Sequence, residues 1–599
     1  MVGRGRRRQT HERRMPSWSA RPGLLAAVGL GVVLLLGAGY LASDLNGARS
    51  ALEQAESQAT TLQRQIVDGD ARGAKATLGD LQRSTADARS HSDGWPWRVA
   101  GAIPLVGQNF DAVHTISRVL DLIARDGLRP IVDNQVDAET FRPKNGRIDL
   151  AAMEPLIPAL TTTDRTISAG LSELDDIDAE GLAGPLQEPF ERLLTKLRSA
   201  EKATSAGVKA LTVMPSMMGG DDTRTYVLVV QNNAEIRSTG GLPGAFAFVK
   251  AKNGKLTIGQ QGAATDFGFF DPPVVKLTKD ERNLYSNLMA SFWADTTFTP
   301  DFPRTAQIMR AMVKQKFTRS VDGVISVDPI ALSYILKGTG PVKLRDGQQL
   351  TSENAVKMLL SDVYAKYDKQ PKAQDAYFAD AARRVFKAVA SGKGSPRGVI
   401  AGLAEGVDEN RILVNSTRKE EQDVLKATRV GGALPRTATS TPHLGLYLND
   451  STTTKLEYYL NKQTQVSSTR CSVDGTQTLS TATILGSDVP ADVKSLPRSI
   501  LGPGTGEKRG SMRMNLRYYA PLGGSVADLR INDDPRTIAR GKDGDRQVAV
   551  VPVLLAPGQK VTVTATVETG KHQRGDATFS TTPGIDPTPN NVRVSSSCD

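Results

Sequence analysis

Histidine and cysteine are scarce in this chain of 599 residues. Zinc sites of the usual kinds take three or four ligands from a set dominated by these two residue types, at short spacings. Here the few candidates are scattered, so the sequence excludes such a site and predicts no metal ligands. A carboxylate-bound Mg²⁺ or Ca²⁺ is still compatible with the composition. The residues concerned are Cys471, Cys598, His11, His91, His114, His443 and His572.

Common catalytic motifs are also missing. The sequence contains neither Gly-x-Ser-x-Gly nor His-Glu-x-x-His. Residues 502–508, GPGTGEK, lack the Gly-Lys-Ser/Thr ending of a phosphate-binding loop, and we interpret them as a turn. Residues 416–419 fit a Ser-x-x-Lys pattern without its companion motifs, which we attribute to chance. The motifs therefore identify no catalytic residue.

Charged side chains are absent from residues 22–43. As a helix this segment spans roughly 33 Å, enough to cross a bilayer. The preceding tail, residues 1–21, holds seven arginines and one acid, which predicts a cytoplasmic N-terminus and an extracytoplasmic remainder. A cleaved signal peptide is the alternative, but its apolar region would be unusually long and Tyr40 occupies a position that needs a small residue. We therefore predict an uncleaved single-pass anchor in the plasma membrane.

The positive charge of the chain is concentrated in the tail. Residues 1–21 carry +6 of the formal net charge of +11, so the other 578 residues carry +5. A near-balanced exported part does not have the charge of a nucleic-acid-binding protein. We interpret the tail as an orientation signal that also contacts anionic lipid. The two cysteines lie in the exported part, where an oxidising compartment favours a disulfide between Cys471 and Cys598.

The rest of the chain divides by pattern into three regions of a multidomain α+β protein. Residues 44–220 have helical spacing and predict an extracytoplasmic helical stalk, beginning with a hairpin that breaks at Gly69-Asp70. The first helix of the hairpin is predicted to carry an apolar stripe of Leu52, Ala55, Ala59, Leu62 and Ile66. Residues 221–435 alternate strands with helices and predict an α/β domain. Its predicted elements include helices at roughly 302–317 and 352–367 and a strand at 323–327. Residues 436–599 contain short β runs between turn residues, one of them at 455–460, and predict an antiparallel β-sandwich. The stalk would be the contact surface if the protein forms oligomers.

Residues 226–230 predict an apolar strand that leads directly into a dense polar cluster, and residues 245–249 predict the next strand. Strands that deliver polar side chains into a loop are typical of ligand sites. The planar fork of Arg237 suits phosphate or carboxylate, and adjacent glycines let a backbone approach an anion closely. The candidate ligand-binding residues are Asn232, Asn233, Glu235, Arg237, Thr239, Gly240, Gly241 and Asp266.

A structural explanation of this cluster is equally compatible with the sequence. Asparagine, threonine and glycine are common in tight connections between strands, and Glu235 could simply pair with Arg237. Asp328, which precedes Pro329, is expected to cap the N-terminus of a helix rather than to contact a ligand.

Several segments of the chain resemble a family of bacterial envelope proteins known as domain of unknown function 4012. The resemblance extends from PLVG at 104–107 to LNDSTTTKLEYYL at 448–460. It implies a membrane-anchored, actinobacterial-type surface protein without an established activity. The central segments are TYVLVVQNNAEIRSTGGLPGAFAFV (225–249), FTPDFPRTAQIM (298–309), VDGVISVDPIALSYILKGTGPVKL (321–344) and LTSENAVKMLLSDVY (350–364).

A second resemblance concerns the α/β region alone. Residues 321–360 and the segment DAYFADAARRVFKAV at 375–389 are similar to LytR-CpsA-Psr phosphotransferases. Those enzymes bind a polyprenyl pyrophosphate through several arginines. Residues 361–363, Ser-Asp-Val, stand where that family has an Arg-x-Arg pair, whereas Arg383 and Arg384 are kept in altered spacing.

Two functions follow from these observations. The first is a non-enzymatic envelope protein that binds a lipid-linked or polymeric glycan in wall assembly. The second is a phosphotransferase that attaches glycopolymer to peptidoglycan, with Glu235, Arg237 and Asp266 at its centre. The sequence identifies no cofactor, and only this second function is compatible with Mg²⁺. The missing Arg-x-Arg pair favours the first. The two also differ in whether Arg237, Arg383 and Arg384 should face one cavity.

Overall fold

The computed structural model describes residues 44–93, 97, 101–102, 104, 107–134, 138–503, 508–586 and 589–598. The predicted basic tail and the predicted membrane span, residues 1–43, lie outside the described residues. Among the helices that are described, none is long and apolar enough to cross a membrane.

The N-terminal region is helical. The break at Gly69-Asp70 is confirmed, because α1 ends at Asp68 and Asp70 caps α2 by accepting a hydrogen bond from Gly73 N. Trp97 packs edge-on against Phe110, 5.2 Å between ring centres, and its indole N–H donates to the Phe110 carbonyl. The helices are α1 (Asp44–Asp68), α2 (Ala71–Ser92), α3 (Gly107–Leu122), α4 (Arg129–Asp133), α5 (Leu156–Asp175) and α6 (Gly184–Met217).

The apolar stripe of α1 is buried inside this helical region. Its members are almost fully enclosed and belong to one core with α2, α3, α5 and α6. Apolar positions at helical spacing form a face that must be covered by other elements. The predicted stripe Leu52, Ala55, Ala59, Leu62 and Ile66 is therefore packed within the chain itself.

A mixed five-stranded sheet forms the centre of the next region, in the order β3-β2-β1-β4-β7. β1, β2 and β3 pair antiparallel, β1 and β4 pair parallel, and β7 is antiparallel to β4. Short connections between consecutive strands produce antiparallel hairpins, and only the long connection from β3 to β4 permits a parallel pair. The strands are β1 (Arg224–Asn232), β2 (Leu242–Lys252), β3 (Lys255–Ala263), β4 (Gly323–Val327) and β7 (Leu413–Ser416).

Helices surround this sheet, and two short strands, β5 (Val342–Lys343) and β6 (Gln349–Leu350), form a separate ribbon. The predicted helix at 302–317 is found at those residues. The helix predicted over 352–367 is interrupted by a π-helical turn, Met358–Asp362. The helices are α7 (Lys279–Tyr285), α8 (Leu288–Ser291), α9 (Phe302–Phe317), α10 (Pro329–Thr339), α11 (Ala355–Lys357), α12 (Val363–Lys366), α13 (Pro371–Ala390), α14 (Pro396–Asp408) and α15 (Lys419–Lys426).

A buried ion pair joins the helical region to this sheet. Arg224, at the start of β1, is fully enclosed and donates to both carboxylate oxygens of Glu421 on α15, at 2.7 and 3.0 Å. Ser216 near the end of α6 donates to the same carboxylate at 2.7 Å. Three separate segments of the chain therefore meet at one charge pair.

Two sheets packed face to face form the C-terminal region, in the orders β13-β12-β16-β10-β9 and β14-β15-β11-β8-β17-β18. Their pairs are antiparallel except β8 with β17, which is parallel. The strands are β8 (His443–Asp450), β9 (Leu460–Cys471), β10 (Gln477–Ser487), β11 (Met512–Tyr519), β12 (Ser525–Ile531), β13 (Asp534–Pro535), β14 (Ala539–Asp543), β15 (Arg546–Leu555), β16 (Lys560–Glu568), β17 (Ala577–Thr581) and β18 (Asn591–Val594). A short helix, α16 (Arg498–Leu501), follows β10.

Two sequence expectations for this region meet different outcomes. A strand predicted at 455–460 is wrong, because residues Leu456–Tyr459 form a 3₁₀ turn and β9 begins at Leu460. The predicted disulfide is confirmed: Cys471, at the end of β9, is bonded to Cys598. The bond ties the end of the chain, just after β18, to the opposite sheet.

Candidate functional site

The predicted polar cluster forms the connection between β1 and β2, which we call the polar loop (residues 232–241). It is tightly closed, with Glu235 N donating to the Asn232 carbonyl and Leu242 N donating to the Glu235 carbonyl. Gly240 has a φ of +132°, and a Cβ on Gly241 would lie 2.2 Å from the Asn232 carbonyl oxygen. Both glycines therefore follow from the geometry of the turn.

Side chains from both neighbouring regions fix the polar loop. Gln231 Oε1 accepts hydrogen bonds from Gly241 N at 2.8 Å and from Thr239 Oγ1 at 3.1 Å. Asn449 on β8 accepts from Ser238 N at 2.9 Å and donates to Ser238 Oγ at 2.9 Å. The polar loop is thus the joint at which the α/β sheet contacts the sandwich.

Arg237 lies inside this joint, with only 5% of its surface exposed. Its guanidinium is 3.5 Å from a carboxylate oxygen of Asp450 and 3.9 Å from one of Asp295. It also lies over the ring of Phe298, 5.0 Å from the ring centre, and donates to the Ile236 carbonyl. Glu235 is therefore not its ion-pair partner, and its charge is balanced by two residues distant in sequence.

Buried carboxyl groups around Arg237 have perturbed pKa values. Burial raises the pKa of Asp450 to about 6, against the lowering effect of Arg237. Burial also raises the pKa of Glu457 well above its usual range, and the neighbouring Asp450 adds to this effect. Both groups therefore hold a proton more firmly in the folded protein than in an unfolded chain.

Asn232 and Glu235 form a second part of the network. Asn232 Nδ2 donates to Glu235 Oε1 at 2.9 Å and to the Tyr364 hydroxyl at 3.0 Å. Glu235 pairs with Lys455 at 3.1 Å, and the Lys455 ammonium lies over the Tyr364 ring. Both residues thus connect the polar loop to α12 and to the segment that follows β8.

The other two predicted residues lie on either side of this network. Asn233 Nδ2 donates to Asp328 at 3.0 Å. Asp328 is the predicted N-cap of α10, accepting from Ala331 N, and it also pairs with the buried Arg411 at 2.9 Å. Asp266 follows β3, where its carboxylate accepts from Ala263 N. Among the described residues, Asp266 shares no hydrogen bond or ion pair with the polar loop.

A cleft of about 1150 Å³ opens beside the polar loop. Its walls come from three regions: α6, the segments 300–307 and 410–436 of the α/β region, and strands β8, β17 and β18 of the sandwich. Of the eight predicted site residues, Thr239 alone lines it, next to Ser238. The structure therefore places most of the predicted cluster behind the wall of the cleft.

Sequence reasoning missed most of the polar residues that line the cleft. They come from short segments far apart in the chain and match no known motif, so no local signal could have grouped them. The amides and hydroxyls are Gln307, Asn410, Asn591, Thr428, Thr578, Ser580 and Thr581, and the charged residues are Lys202, Asp301, Arg304, Lys426, Arg429, Arg436 and Arg593.

Titratable side chains at the cleft are largely neutral or paired. Burial, with the charges of Arg546 and Arg429 nearby, lowers the pKa of His443 to about 3, so its imidazole is uncharged at neutral pH. Burial raises the pKa of Asp301, and Arg436 opposes this effect.

Throughout the described parts of the chain, no three histidine, cysteine or acidic residues are grouped so as to hold a metal ion.

Residues 221–364 match the sequence profile of a family described as "Protein of unknown function (DUF4012)". The match starts just before β1 and ends in α12, so it includes the polar loop and less than half of the chain. No curated protein matches the chain. The central part of the resemblance stated from the sequence is therefore supported, while the similarity to LytR-CpsA-Psr phosphotransferases stays a prediction.

Proposed function

We propose that this chain is a membrane-anchored, extracytoplasmic cell-envelope protein that binds a lipid-linked or polymeric glycan in wall assembly. The observation that carries the proposal is the cleft. Its volume of about 1150 Å³ exceeds the range of roughly 300–1,000 Å³ typical of small-molecule pockets. A ligand longer than a single metabolite is the natural occupant of such a space.

The chemistry of the cleft also suits sugars. Amides and hydroxyls such as Asn410, Asn591 and Ser580 can exchange hydrogen bonds with sugar hydroxyls, and the apolar surfaces of prolines and of Tyr447 can contact the faces of sugar rings. Thr239 and Ser238 bring the edge of the polar loop to the same wall. The rest of the predicted cluster would support this wall from behind by fixing the loop.

The alternative, a phosphotransferase that uses Mg²⁺, would need its arginines to converge. Arg237 faces Asp450 and Asp295 in the interior, Arg383 bonds Gln261, and Arg384 pairs with Asp380. None of the three arginines is part of the cleft wall. This separation, with the missing Arg-x-Arg pair, favours the binding function over the transfer reaction.

A cleft-blocking variant tests the proposal. Ala427 is exposed on the cleft wall, so Ala427→Trp places an indole in the cleft without disturbing the core. The matched control is Ala491→Trp, at an exposed alanine outside the cleft. Protein purified from its native membrane is extracted and analysed by mass spectrometry. We expect glycan-bearing species with the wild type and with Ala491→Trp, and their loss with Ala427→Trp. Wild-type extracts without any glycan species would contradict the proposal.

A further inference from the structure

The charged side chains that line the cleft are almost all positive. Six cationic side chains line it against a single acid, Asp301. Five of the six have a carboxylate partner: Lys202 pairs with Asp408, Arg304 with Glu281, Lys426 with Asp423, Arg436 with Asp543 and Arg593 with Asp576. Asp301 itself pairs with Arg436. The sixth cation is Arg429.

Arg429 is exposed, and among the described residues it has no carboxylate partner. Its Nη1 donates to the Asp408 carbonyl at 2.9 Å, which fixes the guanidinium while leaving its other donors unused. Asn591 Nδ2 donates to the same carbonyl at 2.8 Å, so Arg429 stands beside β18. Asn410 Nδ2 donates to Asn591 Oδ1 at 3.1 Å. These contacts fix the part of the cleft wall that contains Arg429.

The other charged side chains that line the cleft are mostly cationic. Lys202 is one of them, and it lies 3.9 Å from the carboxylate of Asp408, the residue whose carbonyl accepts from Arg429. Arg593 on β18 also lines the cleft, and its partner Asp576 is not part of the wall. A guanidinium with free donors in a mostly cationic cleft is suited to a bidentate contact with phosphate or carboxylate.

We infer that the ligand of the cleft is an anionic glycan and that Arg429 binds its phosphate or carboxylate group. This inference rests on the proposed function and specifies it further. Lys202 and Arg593 add to the attraction, while the amides and hydroxyls of the wall contact the sugar units. A neutral glycan would leave the fork of Arg429 without a charged partner in the complex.

Binding of three polymers of similar length distinguishes recognition of phosphate, of carboxylate and of neutral sugar. The polymers are poly(glycerol phosphate), polygalacturonate and neutral dextran. Each is titrated into the full-length protein in detergent and followed by calorimetry at low and moderate salt. We expect one or both anionic polymers to bind at least tenfold more tightly than dextran, with weaker binding as salt rises. The tighter of the two identifies the phosphate or the carboxylate as the recognised group.

Variants locate the anion contact. Arg429→Ala should weaken binding of the anionic polymer about tenfold or more, and Arg429→Lys should recover part of it, because it keeps the charge but loses the fork. Arg470→Ala, at an exposed arginine outside the cleft, is the matched control and should change nothing. Lys202→Ala, on a different element, should weaken binding in the same direction and gives a second test if Arg429→Ala does not fold.

The outcomes distinguish this inference from the function on which it rests. Equal affinity for dextran and the anionic polymers, or full binding by a folded Arg429→Ala, would overturn the inference and leave glycan binding intact; if Arg429→Ala does not fold, full binding by Lys202→Ala does so. Failure of all three polymers and of native extracts to show a glycan would instead reject the proposed function.

Discussion

The guanidinium of Arg237 has protein carboxylates on two sides. A residue with this side chain after a strand suggests an anion site, but here Asp450 and Asp295 supply the negative charge. Burying a charge is costly unless it is paired, and removing one partner leaves the others unbalanced. Because Arg237 is buried and paired with protein carboxylates, its role is structural, at the joint between the sheet and the sandwich.

We expect Arg237→Ala to lower the free energy of unfolding by about 3–5 kcal/mol, because it leaves buried carboxylates without their counter-charge. Urea unfolding of the variant and the wild type measures the difference. Arg470→Ala is the control and should stay within about 0.5 kcal/mol of the wild type. An unchanged stability combined with lost glycan binding would instead support the ligand-binding role predicted from the sequence.

The carboxyl groups beside Arg237 predict a pH dependence of stability. The pKa of Asp450 is raised from 3.8 to about 6, and that of Glu457 is raised well above 4.5. Because the folded state binds these protons more tightly, their contribution to stability is complete below about pH 4 and falls as pH rises through the folded pKa values. The charged groups around them are Arg237, Asp295, Glu235 and Lys455.

Glu457→Gln tests this dependence, because glutamine has the shape of the protonated acid and cannot ionise. We expect the variant to gain stability relative to the wild type as pH rises from 4.5 to 7.5, by up to about 1.4 kcal/mol per pH unit below the folded pKa. Urea unfolding at both pH values measures the two differences. If the difference between the two proteins is the same at pH 4.5 and pH 7.5, folding does not raise the pKa of Glu457.

At the scale of elements, the disulfide supports the wall of the cleft. Cys598 follows β18, whose residues Asn591 and Arg593 line the cleft, and the bond holds the end of the chain against β9. β18 itself has only four residues and, among the strands the structure describes, pairs only with β17. A short edge strand of this kind has few hydrogen bonds to hold it, so a covalent link stabilises its position.

We therefore expect the double variant Cys471→Ser/Cys598→Ser to loosen β18 more than the rest of the sandwich. Hydrogen exchange should increase over residues 589–598 and glycan binding should weaken, while exchange in β10 and β16 changes little. The free energy of unfolding should fall by up to about 5 kcal/mol, since the bond closes a loop with a sequence separation of 127. Unchanged exchange over 589–598 would show that packing alone holds the strand.

At the scale of the whole molecule, the cleft exists because three regions meet. Helix α6 contributes Lys202, the α/β region contributes Arg429, and the sandwich contributes Arg593. Other contacts hold the helical region against the α/β region, including Arg142 donating to the carbonyls of Gly392 and Gly394, between α13 and α14. The helical region has a core of its own, whereas the cores of the α/β region and the sandwich share residues of both, and the charged wall is complete only where all three regions meet.

Local features of the fold were accessible from the sequence alone. The helix at 302–317, the strand at 323–327 and the cap by Asp328 follow from periodicity, proline and turn chemistry within a few residues. The disulfide followed because the chain has only two cysteines. The strand order of the first sheet and its mixture of parallel and antiparallel pairs could not be predicted from the sequence. Strand pairing depends on which segments meet across long connections.

The candidate site, like the fold, has features that the sequence predicts and features that it does not. The sequence identified the polar loop, because its residues are consecutive and follow an apolar strand. Only the tertiary structure decided that Arg237 is paired with Asp450 and Asp295 while Arg429 is left facing the cleft. Charge pairing depends on distances of a few ångströms between residues that are far apart in the sequence, and no local pattern records those distances.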